Sequence, residues 1–198
     1  MISGLLTLIL IAAATTTEAG APEDLDRLLS SLAPEGDRAE LHFVERRNSP
    51  LLSEPLVVTG RLWRNRQGQL VRQTLEPREA KHTLGSNMVI IERPGHSPRN
   101  YSLSHIPELA VLYHGLSALL AGDADALRER FKHELTHEEC SDDSSEESCW
   151  RLILEPRDEA LAAQVESLSL SGTDDRLERF VLTLSDGEKI ETELSRQP

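Results

Sequence analysis

Aromatic rings are scarce in this sequence: two Trp, two Tyr and three Phe in 198 residues, or 4%. A protein that reads nucleic acid by stacking bases needs more rings, set on a basic face. The charge argues the same way, since 34 Asp and Glu outnumber 21 Lys and Arg for a net −13. Such a balance repels nucleic acid and anionic membrane surfaces, so nucleic acid is not expected as a partner. Cysteine is limited to Cys140 and Cys149. That excludes a disulfide-dense scaffold, and their spacing is not a redox Cys-x-x-Cys. The apolar run at residues 4–14 is too short to cross a bilayer, which needs about 20 residues. Lysine is also rare, three against eighteen Arg, which we read as coding bias rather than chemistry.

What is present supports a folded domain. Hydrophobic residues make up 38% of the chain and charged residues 28%, enough to close a core and to exclude wholesale disorder. The length fits one domain. Residues 4–14, followed by Thr15 to Thr17 and Ala19-Gly20-Ala21, have the pattern of a cleaved secretory signal. No Lys or Arg precedes the run. Cleavage after Ala19 leaves residues 20–198 as the mature domain and places it in the periplasm. An oxidising compartment agrees with Cys140 and Cys149 closing one disulfide around the acidic loop 141–148.

Hydrophobic periodicity divides the rest. Leu25, Leu28, Leu29 and Leu32 fall at helical spacing and predict a helix over 22–33. From Ala39 the period changes to two. Strands are expected around 39–43, 56–63, 70–75, 82–84, 88–91 and 101–103, with a turn at Asn65-Arg66-Gln67-Gly68. Pro107 opens a second helix through Leu109, Leu112, Leu116 and Leu120 to Gly122, and Asp123 caps a further turn. Strands resume at 131–139, 150–154, 166–170, 177–184 and 189–194, with Ser185-Asp186-Gly187 as a hairpin turn. The expected fold class is α+β: one mostly antiparallel sheet, one helix before it and one helical segment inserted mid-chain.

His133-Glu134-Leu135-Thr136-His137 matches the H-E-x-x-H pattern of zinc peptidases, which would make the protein a zinc hydrolase. That chemistry needs a helix presenting both His on one face. Here the flanks are charged, the segment ends just before Cys140, and no third ligand is signalled at a familiar spacing. A strand explains the residues better: Phe131, His133, Leu135 and His137 share one face, and Lys132, Glu134 and Thr136 the other. Pairing Cys140 directly with Cys149 sets a register with His137 opposite Leu152 and Leu135 opposite Leu154. No G-x-S-x-G, phosphate loop or isolated Cys–His pair appears. We therefore assign no catalytic residue, no metal site and no cofactor. A third reading is an interaction domain with a closed core and no cargo.

The ordered set of segments resembles the periplasmic outer-membrane lipoprotein carriers, the LolA-like family. Phe43-Val44-Glu45-Arg46-Arg47 leads through Ser49-Pro50-Leu51-Leu52 and Glu54-Pro55-Leu56 into Gly60-Arg61-Leu62-Trp63. Leu70 to Pro77, Pro107 to Asp123, and Trp150-Arg151-Leu152-Ile153-Leu154-Glu155-Pro156 complete it. The resemblance implies an incomplete antiparallel β-barrel whose concave apolar face is plugged by the N-terminal helix and the inserted helices. It further implies a monomeric, non-enzymatic carrier that takes acyl chains of lipoproteins from an inner-membrane ABC-type releasing complex to an outer-membrane acceptor. The family's Arg and, four residues on, large apolar residue, both important for cargo transfer, match Arg66 and Leu70. The better-known carriers have Phe at the second position, and their Phe-x-x-x-Phe-x-Gln stretch is replaced here by Leu41 to Arg47. This sequence is closer to a LolA-related subgroup associated with acyltransferase and ketosynthase systems, so the cargo extends to other acylated lipids. Within that reading Val58, Leu62, Met88 and Ile90, from the apolar runs of the early strands, join Arg66 and Leu70 as cargo-binding candidates.

Overall fold

The structure, a computed structural model, describes residues 22–32, 40–48, 53–140 and 148–196. The expected signal and its cleavage site, and most of the acidic loop between the cysteines, lie outside these residues. Helix α1 (Pro22–Leu32) presents Leu25, Leu28, Leu29 and Leu32 as one buried stripe. The chain then forms β1 (Leu41–Asn48), β2 (Leu56–Arg64), β3 (Leu70–Glu76), β4 (Ala80–Leu84), β5 (Met88–Glu92) and β6 (Arg99–Ser102). Helices α2 (Pro107–Ala121) and α3 (Ala124–Arg130) follow, then β7 (Phe131–Glu139), β8 (Ser148–Pro156), a single helical turn α4 (Glu159–Ala162), β9 (Val165–Thr173), β10 (Arg176–Leu184) and β11 (Lys189–Arg196).

Among the described residues eleven strands make one antiparallel sheet in the order β6-β5-β4-β3-β2-β1-β11-β10-β9-β8-β7. Two meanders are therefore joined by β1, which pairs with β2 on one side and with the last strand, β11, on the other. The sheet does not close, and β6 and β7 are its edges. The expected antiparallel α+β architecture is what is observed.

Local chemistry explains the turns. Asn65 Oδ1 accepts from the Gln67 and Gln69 amides at 3.0 and 2.9 Å, and Gly68 supplies the positive φ of 75° that closes the β2–β3 hairpin. Helix α2 stops at Gly122, φ 68°, whose amide reaches the Leu119 carbonyl, while the Asp123 amide reaches Ala118 at 2.9 Å. Asp123 then caps α3 through the Ala126 amide. Helix α2 is apolar nearly all round because both its sides are covered, by β9 and β10 on one and by α1 on the other. Gly115 makes the closest approach to the sheet: a Cβ there would stand 2.6 Å from a Leu168 methyl and 3.3 Å from one of Leu154.

The β7–β8 register differs from the expected one by two residues. His137 faces Trp150, Leu135 faces Leu152, and His133 faces Leu154. The disulfide is present, but Cys140 lies just past the end of β7 and reaches Cys149 diagonally, with the Cα atoms 5.2 Å apart. A disulfide tolerates that separation without requiring directly opposed residues. A slip of two also leaves every side chain on its expected face, because the strand period is two. Helix α4 was not foreseen. Asp158 caps it by accepting from the Leu161 amide at 3.0 Å, a signal that a single turn makes hard to distinguish from a loop.

Gly60 is required where β2 carries a bulge. A Cβ there would overlap the Gln73 carbonyl oxygen and stand 2.7 Å from the Phe43 ring. Gly60→Ala is expected to destabilise the fold by about 3 kcal/mol, near the upper end for overpacking, because one obstacle is backbone. Urea unfolding of the variant against the parent checks this; an unchanged midpoint would contradict it.

Candidate functional site

Strand register defines an inner face of the β1–β6 half, the one continuous with the helix-covered core. It carries Leu41, Phe43, Glu45 and Arg47 of β1, and Leu56, Val58, Gly60 and Leu62 of β2. From the next strands come Leu70, Arg72 and Thr74, then Ala80, His82 and Leu84, then Val89 and Ile91, then Arg99 and Tyr101. Leu62, Leu70, Leu84 and Val89 are nearly inaccessible, at 3%, 1%, 1% and 0% exposure. Three of the sequence candidates, Val58, Leu62 and Leu70, are thus gathered on this face. Met88 and Ile90 lie on the opposite face, Met88 exposed and Ile90 half-buried, and Val89 and Ile91 take the inner positions instead. Arg66 is exposed at the tip of the β2–β3 turn, whereas Leu70 is buried.

The opposite face has a smaller apolar row of its own, Trp63–Val71–Thr83–Ile90, across four strands. Val71 is only 2% exposed there, yet stands outside the main core cluster. The apolar runs in β2 and β5 are therefore apolar on both faces.

A buried polar cluster in the inner face escaped the sequence reading. Glu45, 3% exposed, accepts from Arg72 Nη2 at 3.0 Å and from Arg47 Nε at 2.8 Å, with Thr192 Oγ1 at 3.5 Å. Arg72 Nη1 also donates to Thr74 Oγ1 at 3.0 Å, and its guanidinium lies 4.4 Å from the centre of the Phe43 ring. Phe43 in turn lies over Gly60, so the absent side chain at 60 makes room for the ring and the ring supports the arginine. Burial holds the Arg72 pKa below the ordinary guanidinium value, opposed by the Glu45 charge. The available signal was parity: Glu45 and Arg72 each occupy an inward position in an alternating strand, where an apolar residue is the default.

His82 stands directly across from Arg72, and its Nδ1 is buried with no hydrogen-bond partner among the described residues. Burial pushes its pKa down to about 4, and the nearby charges of Arg72, Arg93 and Arg47 lower it further. Burial also pushes His114, in α2, down to about 4, with Arg130 adding to the effect.

Strand β7 carries the H-E-x-x-H match with its two His on the inner face and Glu134 on the other. A carboxylate pointing away from the two imidazoles cannot activate a water on a metal held between them, so the arrangement is not that of a zinc peptidase.

A family comparison matches residues 17–195 to the proteins described as outer membrane lipoprotein carrier protein LolA-like. No curated protein matches the sequence significantly. Among solved structures, a LolA superfamily protein from Nitrosomonas europaea is 13% identical, with 89% of this chain and 92% of that one covered and a TM-score of 0.46. An outer membrane lipoprotein-sorting protein domain from Vibrio parahaemolyticus is 11% identical, covering 88% and 92%, at 0.44. MucB in the Pseudomonas aeruginosa MucA/MucB complex is 14% identical, covering 87% of this chain and 56% of that chain, at 0.43. Among the described residues no helix is long and apolar enough to cross a membrane.

Burial lowers the pKa of His133 as well, and the two histidines pushed furthest down, His82 and His114, set a pH dependence. Each binds a proton more readily unfolded, near its ordinary pKa of 6.5, than folded. Their contribution to stability is therefore complete above pH 6.5 and declines as the pH falls from there toward about 4. Urea midpoints are expected to be flat from neutral pH upward and to drop between pH 6.5 and 5. His82→Gln and His114→Gln should each flatten part of that drop; a slope unchanged in both variants would refute the assignment.

Proposed function

This chain belongs to the LolA-like family of outer membrane lipoprotein carrier proteins, and on that footing we propose that it is an exported periplasmic carrier. Residues 1–19 are removed as a signal, and residues 20–198 fold as one monomeric, non-enzymatic domain. Its cargo is the acyl portion of a lipoprotein or a related acylated lipid. It is loaded by an inner-membrane ABC-type releasing complex and unloaded to an outer-membrane acceptor.

The observation that carries this reading is the aliphatic inner face and the way it is covered. Leu62, Leu70, Leu84 and Val89 form a wall with no aromatic ring among them, which suits flexible chains. The α1 stripe and α2 cover the core by side-chain packing, and an exposed ion pair, Arg128 of α3 to Asp26 at 2.5 Å, ties α1 to α3. Each acyl methylene buried contributes about 0.8 kcal/mol, so an open greasy cleft would hold cargo too tightly to release it. Helices that occupy the face when it is empty compete with the chain and lower its affinity. Val58, Leu62 and Leu70 are the proposed lining residues, and Arg66 is a rim residue placed for a partner to read. Met88 and Ile90, on the outer face, are not assigned to the cargo in this proposal.

Native mass spectrometry of the mature protein purified from a periplasm is expected to show a mass excess that leaves as acylated lipid on denaturation. Stoichiometric metal without lipid would overturn the proposal. Leu62→Ala and Leu70→Ala should each cost about 2–5 kcal/mol of stability and reduce lipid retention. Val71→Ala, which opens a smaller cavity on the outer face, should destabilise the fold while leaving retention intact. Equal loss in all three would mean that retention follows stability alone.

A further inference from the structure

The inner face is not uniformly apolar, and its polarity is ordered in rows. One row across the strands reads Arg64–Leu70–Leu84–Val89–Tyr101, with Arg64 exposed at its β2 end and bonded to the Gly68 carbonyl. The adjacent row reads Leu62–Arg72–His82–Ile91–Arg99. Arg93 follows β5 at the same inward parity as Val89 and Ile91, one step beyond that second row, and its charge is felt at His82. Arg47 approaches from β1 through Glu45. Among the strand positions that register assigns to this face, Glu45 is the one carboxylate, against Arg47, Arg72 and Arg99 on the same side of the leucine row. Arg93 and Arg99 are exposed and have no carboxylate partner among the described residues.

This local excess of cations runs against the whole protein. Residues 40–105 hold ten Arg and Lys against six Asp and Glu, net +4, within a chain of net −13. The surplus of acid lies wholly in the rest of the chain, much of it on the β7–β11 half, at the other side of the sheet from β2–β6. Anions repelled by the bulk of the molecule are therefore drawn to this half.

We propose that Arg72, Arg93 and Arg99, with Arg47 behind Glu45, form a subsite for an oxyanion, phosphate or carboxylate, borne by the head of an acylated lipid whose chain lies along the adjoining leucine row. The inference rests on the carrier reading and narrows its cargo to anionic acyl lipids. Arg72, propped on Phe43 and fixed by Glu45 and Thr74, is the preorganised donor. Arg93 and Arg99 are long, exposed and free to close on the anion with charge-assisted hydrogen bonds. His82, directly across from Arg72, occupies the centre of the row.

Three probes separate the possibilities by calorimetry at low salt, each below its micellar concentration: dodecyl phosphate, dodecyl maltoside and inorganic phosphate. Dodecyl phosphate is expected to bind about tenfold or more tighter than the maltoside, and the gap should narrow as salt is raised. Inorganic phosphate alone should bind far more weakly than dodecyl phosphate. In the double variant R93Q/R99Q, both sites exposed and the Arg72–Glu45 pair untouched, the preference should fall to about threefold or less with maltoside binding unchanged. Equal affinity of the two detergents in the parent, or a preference that survives in the double variant, overturns the subsite and leaves the carrier intact. Inorganic phosphate binding as tightly as dodecyl phosphate overturns the lipid head group in favour of a free anion. Absence of binding by either detergent overturns the carrier reading and the subsite with it.

Discussion

The connection from β6 to β7 governs the rest of the molecule. These strands are consecutive along the chain, yet they are the two outer edges of an eleven-stranded sheet. Laid flat, ten strand spacings of about 4.8 Å would put them some 48 Å apart. Helix α2 spans about 22 Å and α3 about 10 Å, and a left-handed turn at Gly122 separates them. The helices alone fall short of that distance, and α2 runs back over β9 and β10 on its way between the edges. α2 is apolar nearly all round because it runs between α1 and the sheet. Gly115 sets how deeply it sits, by allowing its backbone onto Leu154 and Leu168.

The pairing of β1 with β11 is the complementary constraint. It brings the first and last strands together and makes one face out of two meanders. The inner surface on the β7–β11 side is saturated by α2 and α3, with Leu152, Leu154, Leu168 and Leu170 fully buried. On the β1–β6 side the same surface contains Glu45 and Arg72. An ion pair this buried adds little to stability over an apolar replacement, since desolvation offsets much of its attraction. Gly60, Phe43, Arg72 and Glu45 form one chain of dependence, from a missing side chain to a ring, a guanidinium and a carboxylate.

Much of this was legible in the residues. The stripe of α1, the Pro107 start and Gly122 stop of α2, the Asp123 cap and the Asn65–Gly68 turn are all local, each decided by a few neighbouring groups. The inside and outside of β7 were also readable, because alternation survives a two-residue change of register. The register itself was not, since a disulfide accepts a diagonal pair as readily as an opposed one. In β5 the run Met88-Val89-Ile90-Ile91 is apolar at every position, and alternation cannot then say which parity faces inward. The pairing of Leu84 with Val89, and of Ile90 with Thr83, settles it.

By itself, then, the sequence determined the element types, the caps and turns, the antiparallel α+β class and, through the order of its segments, the family. These follow from local sterics, backbone hydrogen bonding and hydrophobic period, which act over a few residues. Only the tertiary structure decided that β1 lies between β2 and β11, that Arg72 reaches Glu45 across an intervening strand, and that the basic and acidic parts of the chain occupy opposite halves of one sheet. Those relations join residues 27 to 147 positions apart. Nothing in the intervening chain encodes them, because they arise from which strand edges meet when the sheet curls around its helices.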